Sequence, residues 1–436
     1  MTWIEVLDGG MFSTVQDLGR IGAQKYGVPV SGAMDAQACR AANRLVGNAS
    51  DAACIEMTLV GPVLRFGGCG VAALTGADLG ALLNGHPLER WATVSVAAGA
   101  TLTFTGVRDG VRAYLAVAGG MNVPPVLGSR STFTRSALGG LDGRALRAGD
   151  RIPVGSAPEP PRGPGRRLPR HAVPVYGHAH NLRVIMGPQD DAFSDEGIRT
   201  FLSGTYTLLT QSDRIGCRLS GPRIAHRAGA DIVSDGTTLG SVQVAGDGLP
   251  IVLMADRGTT GGYTKIATVA SVDVWRLAQA SPGDRTRFVR ISLREAHALL
   301  RGAHAWLDEI RPRIAEEEEA AAIYDEDSGA ALAAEAYLGL AAALGRDRAA
   351  PASSRDVVRA GMPGLVVSVA VGPGDTVAER QELLVIEAMK MQSPVRAPRA
   401  GRVGRVLVTP GALVEGGAAL VEFEGADARG DGHDDH

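Results

Sequence analysis

Gly364–Val377 reads GLVVSVAVGPGDTV and Gly401–Val414 reads GRVGRVLVTPGALV, two versions of one pattern. Laid over each other, Gly364 falls on Gly401, Val366 on Val403, Val369 on Val406, Val371 on Val408, Pro373-Gly374 on Pro410-Gly411 and Val377 on Val414. The match continues with Leu383 on Leu420 and Glu387 on Glu424. Each copy is β-branched with partial alternation and is punctuated by Pro-Gly, which reads as short antiparallel strands joined by a tight turn. Two such copies form one small β unit around a single core. Between them lies Glu387-Ala388-Met389-Lys390-Met391, so Lys390 falls at the junction of the halves.

A lysine flanked by Met389 and Met391, set between repeated half-units, resembles the biotinyl domain of biotin-dependent carboxylases over Arg359–Glu424. The resemblance implies a flattened β-barrel with quasi-two-fold symmetry, Lys390 as the biotin attachment residue, biotin as covalent cofactor and a biotin protein ligase as a partner. Lipoyl domains carry their lysine without the paired methionines, which favours biotin. Most lysines in turns are simply solvated; repeat and motif together set Lys390 apart. Glu387 is read as capping the strand or shaping the hairpin.

The chain has 436 residues, enough for two or three domains. Hydrophobic residues make up 45% and charged residues 21%, an ordinary globular balance, and the net charge of -3 implies no general attraction to nucleic acid or an anionic membrane. Cys39, Cys54, Cys69 and Cys217 have no CxxC spacing, which argues against a zinc knuckle or disulfide framework and leaves them as small buried hydrophobes. The start MTWIEVLDGG lacks a basic segment followed by an apolar run, so a cytoplasmic location is expected.

Six zones follow along the chain. Residues 1–157 are Gly- and Val-rich with strand-like runs at Val71–Leu74 and Arg112–Val117. Residues 158–172, dense in Pro and Arg, read as a linker or surface loop, and their arginines Arg162, Arg166, Arg167 and Arg170 as solvated. Residues 173–293 form a second β-rich zone with a helix expected at Ser271–Ala280. Residues 294–354 are Ala-, Glu- and Leu-rich and predict two or three helices broken near Pro312 and Gly329, ending in a hinge. Residues 355–424 are the biotinyl unit, and 425–436 read as a disordered tail.

The first two β zones carry a second resemblance. STVQDLGR (Ser13–Arg20), GVPVSGAMD (Gly27–Asp35), ANRLVGN (Ala42–Asn48), IEMTLVGP (Ile55–Pro62), YLAVAGG (Tyr114–Gly120) and VLGSRST (Val126–Thr132) occur in that order. GPQDDAF (Gly187–Phe193), SDRIGCRL (Ser212–Leu219), LPIVLMADRGTTGGYTKIA (Leu249–Ala267) and PGD (Pro282–Asp284) follow. Together they are similar to the allophanate hydrolase subunit 2 family, which also covers half of the carboxyltransferase domain of urea carboxylase and the C subunit of bacterial 5-oxoprolinase. Ala245-Gly246-Asp247 departs from the family, where a proline often precedes Gly-Asp-Gly. The resemblance implies a mainly β protein: two cyclophilin-like β-barrel subdomains, a helical linker and the C-terminal flattened barrel.

Carboxyl transfer to a small amide needs fixed donors against developing oxygen charge, and acceptors that hold the amide N–H groups. Polar residues in Gly-rich turns suit this, because backbone there approaches a ligand closely. Gln16, Asp17, Arg20, Asp35 and Asn43 meet that description in the first zone; Asp235, Gln243, Asp247, Asp256 and Lys265 meet it in the second. Asn43, Asp247 and Lys265 lead, Lys265 because it follows Gly261-Gly262-Tyr263. Each has a structural alternative: Asp17 with Arg20 as a local ion pair, Asn43 as a helix cap, Asp256 as a turn closer.

No phosphate-binding G-x-x-x-x-G-K-[ST] loop or ATP-grasp segment is present, and no G-x-S-x-G elbow or Ser-Ser-Lys amidase pattern. His178-x-His180 reads as solvated, and His433 and His436 of the tail as at most an adventitious metal binder, so no metal is expected. The expected function is a biotin-dependent carboxyltransferase subunit fused to its carrier, passing a carboxyl group from carboxybiotin on Lys390 to urea or a related small amide or guanidine. A separate ATP-dependent biotin carboxylase and an allophanate hydrolase subunit 1-type protein are the implied partners. Two alternatives stand beside it: a component of an ATP-dependent 5-oxoprolinase, and a regulatory protein-binding module.

Overall fold

The computed structural model describes residues 1–157, 164–307, 311–312, 357–360, 364–388, 391–415 and 417–424. In the first lobe, one sheet runs in the order Arg151–Pro153, Trp3–Asp8, Val63–Phe66, Thr101–Phe104, Ala81–Leu83, His86–Pro87. A second runs Phe12–Gln16, Cys54–Thr58, Asp109–Val117, Gly70–Asp78, Thr93–Val96. A core containing Ile4, Val15, Ile55, Met57, Leu74 and Leu115 lies between them. Both sheets keep open edges, so the strands of this lobe do not close as a barrel; the short edge strands end in exposed His86–Pro87 and half-buried Thr93.

Helix α1 (Ala36–Val46) covers the outer face of the second sheet with Ala38, Cys39, Ala42, Leu45 and Val46. The Asp35 side chain caps its first turn through the Ala38 amide at 3.0 Å, and Gly47 ends it at φ 84°, a left-handed conformation that favours glycine. Covered on both faces, Cys54–Thr58 is buried throughout, including the polar side chain of Glu56.

The second lobe is a closed barrel of seven strands in the order Ala179–Met186, Lys265–Val269, Ser241–Val244, Pro250–Leu253, Gly216–Ser220, Tyr206–Leu208, Arg285–Arg290. A parallel pairing of the first and last strands, from Ala179↔Arg285 to Val184↔Arg290, closes it. Leu182, Val242, Val252, Ile266 and Phe288 fill the interior, and α2 (Asp195–Ser203) plugs one side by stacking Phe201 on Phe288 at 4.4 Å. The ribbon Asp231–Gly236 with Thr260–Tyr263 stands apart from the barrel. Within the helix expected at Ser271–Ala280 only α3 (Val274–Ala278) forms.

The chain then returns to the first lobe. Helix α4 (Leu293–Trp306) starts with a Ser292–Glu295 capping box and ends with Trp306 edge-on to Trp91, its indole donating to Ala172 O at 2.7 Å. Arg311–Pro312 pairs with Arg166–Arg167, so Pro312, expected to break a helix, lies in a short strand, and part of the expected linker is strand as well. The Arg162 and Gly329 expectations, the hinge and the tail lie outside the described residues.

The C-terminal unit holds two four-stranded sheets around Val366, Leu383, Ile386, Val403, Leu420 and Phe423. Its pairings follow the sequence repeat: Gly364 pairs with Val414, and Val377 with Gly401. Exchanging equivalent residues of the two halves turns one pairing into the other, which is the quasi-two-fold symmetry expected. Gly374 and Gly411, at φ 92° and 87°, occupy equivalent left-handed turn positions after proline. Among the described residues no helix is long and apolar enough to cross a membrane.

Candidate functional site

Lys265 opens its barrel strand opposite Gln243, with its side chain almost fully enclosed. Its ammonium donates to Asp235 Oδ2 at 2.8 Å, and Asp235 sits on the free-standing ribbon, half exposed. The Lys265 hydrogen bond, helped by the Gly236 amide and Gln189, holds the Asp235 carboxyl below the usual range. Gln189 joins the two: its Nε2 donates to Asp235 at 3.2 Å and its Oε1 accepts from the Lys265 amide at 3.1 Å. Gln243 is buried, and its Nε2 has no partner. A Cβ on Gly261 would lie 2.4 Å from that nitrogen, so only glycine leaves it room. A cation, a carboxylate and an unpaired amide N–H thus gather at the barrel mouth, a set that can donate to a carbonyl or carboxylate oxygen.

A second polar network crosses the seam between the lobes. Arg214 of the barrel donates to Asp256 at 2.9 and 3.1 Å, to Gly32 O at 2.7 Å and to Glu56 of the first lobe. Glu56 in turn accepts from the Tyr114 hydroxyl and the Met34 amide, each at 2.8 Å. These carboxylates hold the Arg214 guanidinium well above its usual pKa despite its burial. Gln279 donates to Asp35 Oδ2 at 2.9 Å and accepts from the Val111 and Arg112 amides. Burial pushes the Asp35 carboxyl up to about 6, although Ala38 and Gln279 bond to it.

The residues nominated from sequence fall into separate groups, of which Gln243, Lys265 and Asp235 form this cluster. Asp35 and Asp256 belong to the seam. Asp17 gathers Ser129 Oγ, Ser131 Oγ and the Arg130 amide at 2.7, 2.5 and 2.5 Å, while Arg20 donates to Ser131 O. Gln16 bonds to Thr14 and Thr132 O, so this trio pins the loop at Ser129–Thr132. Asn43 lies inside α1 and ties Ala52 O and Asn48, not at a helix start. Asp247 is exposed and bonds the Leu249 amide in its own turn.

Two further expectations change. Cys69 is exposed, unlike the other three cysteines. His180 is buried and lies 3.5 Å from Asp284, while only His178 is solvated. Sequence reasoning also passed over Gln189, Glu56, Arg214 and Gln279. For Glu56 a signal existed: an acid inside an otherwise apolar buried strand needs a partner. Among the described residues no cluster of three or more His, Cys, Asp or Glu can hold a metal.

In the C-terminal unit the hairpin Glu382–Ala388 with Met391–Arg396 pairs Ala388 with Met391; Met389 and Lys390 between them lie outside the described residues. Leu383, Leu384 and Ile386 anchor this hairpin in the core, and a Glu387–Gln392 bond of 3.3 Å links its strands near the end. A rigid two-stranded arm of this kind fits a covalently carried cofactor.

Comparison with known proteins agrees with both parts. Residues 26–290 match the family described as "Carboxyltransferase domain, subdomain A and B", and residues 356–423 match "Biotin-requiring enzyme". The chain is 38% identical over 293 residues to the 5-oxoprolinase C subunit of Escherichia coli K12, covering 67% of this chain and 93% of that protein. Its C-terminal part is 53% identical over 68 residues to the human mitochondrial propionyl-CoA carboxylase alpha chain, 16% of this chain and 9% of that one. The solved structure of the K. lactis urea amidolyase superposes with a TM-score of 0.67 at 32% identity, over 71% of this chain and 21% of that one.

Proposed function

The chain belongs to the carboxyltransferase subdomain A and B family and carries a C-terminal biotinyl domain, and from that premise we propose that it moves a carboxyl group onto urea or a related small amide or guanidine. The observation that carries this reading is the union of carboxyltransferase lobes and biotin carrier in one chain. Lys390 would hold the biotin. When bound, biotin supplies a carboxyl group carried on a ring nitrogen.

The barrel-mouth cluster supplies what the protein must add. Lys265, paired with Asp235, and the unpaired Gln243 amide offer donors to the oxygen atoms of the group in transfer. Asp235, held ionised, accepts from the N–H groups of an amide or guanidine and keeps it oriented. Gln189 fixes the spacing of the two charges. A separate biotin carboxylase loads the carrier, and a protein of the subunit 1 type completes the site.

The test is fixation of labelled bicarbonate by the intact chain with a biotin carboxylase, a subunit 1-type protein, ATP and a panel of urea, guanidine and 5-oxoproline. Label entering one acceptor, blocked by avidin, supports the reading; no acceptor-dependent fixation sinks it. Lys265→Met should lower that rate by roughly 10²–10³, the loss seen when a fixed donor to a developing oxyanion is removed. A second reading, a component of an ATP-dependent 5-oxoprolinase, is favoured by the match over 93% of the Escherichia coli protein. ATP-dependent turnover of 5-oxoproline that avidin leaves untouched would select it.

A further inference from the structure

Apart from the barrel mouth, a cleft of about 380 Å³ opens on the seam, its walls drawn from both lobes. The first lobe contributes the rings of Phe12 and Phe133 and the guanidinium groups of Arg112 and Arg135; the second contributes Asp213 and Arg214. Its volume lies in the range of small-molecule sites. Its hydrogen-bonding balance is one-sided.

The carboxylates here are engaged: Asp256 and Glu56 by Arg214, and Asp213 Oδ1 by the Ile215 and Gly216 amides at 2.8 and 3.1 Å. Of the guanidinium groups, Arg214 is fully engaged by those carboxylates, whereas Arg112 and Arg135 keep spare N–H capacity. Arg112 donates through one nitrogen to Ala278 O, while its buried Nε has no partner. Arg135, with 62% of its side chain exposed, makes a long ion pair with Asp213 at 3.8 Å, beyond hydrogen-bond reach. Unused capacity on this wall is therefore donor capacity beside two phenyl rings. An acceptor with a flat apolar body complements it; a neutral or cationic ligand leaves the arginines without gain.

We propose that the seam cleft binds a small organic monocarboxylate, with its carboxylate toward Arg135 and its apolar body against Phe12 and Phe133. Because the walls belong to different lobes, the ligand stabilises their junction as well as itself.

Benzoate is a suitable probe on the full-length chain, followed by calorimetric titration and by the shift in melting temperature, with benzamide as the neutral isostere and acetate lacking the ring. Benzoate should bind saturably and raise the melting temperature. Benzamide and acetate should each bind at least about tenfold more weakly, the order expected for losing a charge-assisted hydrogen bond or the buried ring. Arg135→Ala, at an exposed position, should keep the unliganded melting temperature while weakening benzoate by about tenfold. Equal binding of benzoate and benzamide, indifference to Arg135→Ala, or no saturable benzoate binding at millimolar concentration would overturn the proposal.

Discussion

The C-terminal unit and the two-lobe body use polar and apolar residues in opposite ways. In the C-terminal unit the core is almost wholly aliphatic, and the pairings Gly364↔Val414 and Val377↔Gly401 restate a repeat visible in the chain. In the body, the lobes meet through Arg214, Glu56, Asp256, Asp35 and Gln279, partners as far as 244 residues apart in sequence. Apolar burial is non-directional and tolerates repetition. A buried charge instead demands one particular partner at hydrogen-bonding distance.

That contrast can be broken most severely at Lys390. Lys390→Ala should abolish biotin incorporation, read as the absence of the biotin mass increment after co-expression with a biotin ligase. The fold of the unit should be unaffected, since none of its core residues is touched. Incorporation persisting in the variant would move the attachment elsewhere.

Next comes the seam. Arg214→Met leaves Glu56 and Asp256 buried without their cation and should destabilise the body by about 3–5 kcal/mol in denaturant unfolding. A loss below about 1 kcal/mol, the range of surface pairs, would show that this network is solvated in practice.

The repeat makes its own forecast for the C-terminal unit. Leu383 and Leu420 are equivalent in the two halves and both fully enclosed. Leu383→Ala and Leu420→Ala should each cost about 2–5 kcal/mol, and the two costs should agree to within about 1 kcal/mol if the symmetry extends to packing. Clearly unequal costs would confine the symmetry to the backbone.

The smallest effect concerns Asp35, whose folded carboxyl titrates near about 6 because of burial. Its folded pKa lies above the unfolded value of about 3.9, so the folded state holds the extra proton in between. Its contribution is therefore most favourable below about pH 4 and declines as pH rises to about 6. Asp35→Asn keeps a good N-cap and removes the titration. Relative to wild type, the variant should gain about 1–3 kcal/mol between about pH 4 and pH 7, as followed by thermal unfolding across that range. A pH-independent difference would mean that Asp35 ionises normally.

Strand content and the Pro-Gly turns were legible because they rest on local pattern. Asp35 ahead of an alanine-rich run that ends at Gly47 was equally legible as a helix, yet Asp35 and Asn43 drew notice as ligand candidates. Lys265 was nominated because it follows Gly261-Gly262-Tyr263, where glycines signal close backbone approach, and Gly261 makes room for the Gln243 amide. Cys69 and His180 were misjudged because exposure depends on which face of a strand or loop meets the rest of the molecule.

By itself the sequence determined that this chain pairs a biotinyl unit with carboxyltransferase lobes, since motif, repeat and strand period are properties of neighbouring residues. Only the tertiary structure decided that one lobe closes as a barrel while the other remains two open sheets, that Gln189 and Asp235 meet Lys265, and that Arg214 binds the lobes together. Those outcomes depend on contacts between residues far apart in the chain. Distance, burial and unmet hydrogen-bonding capacity exist only once those residues are brought together.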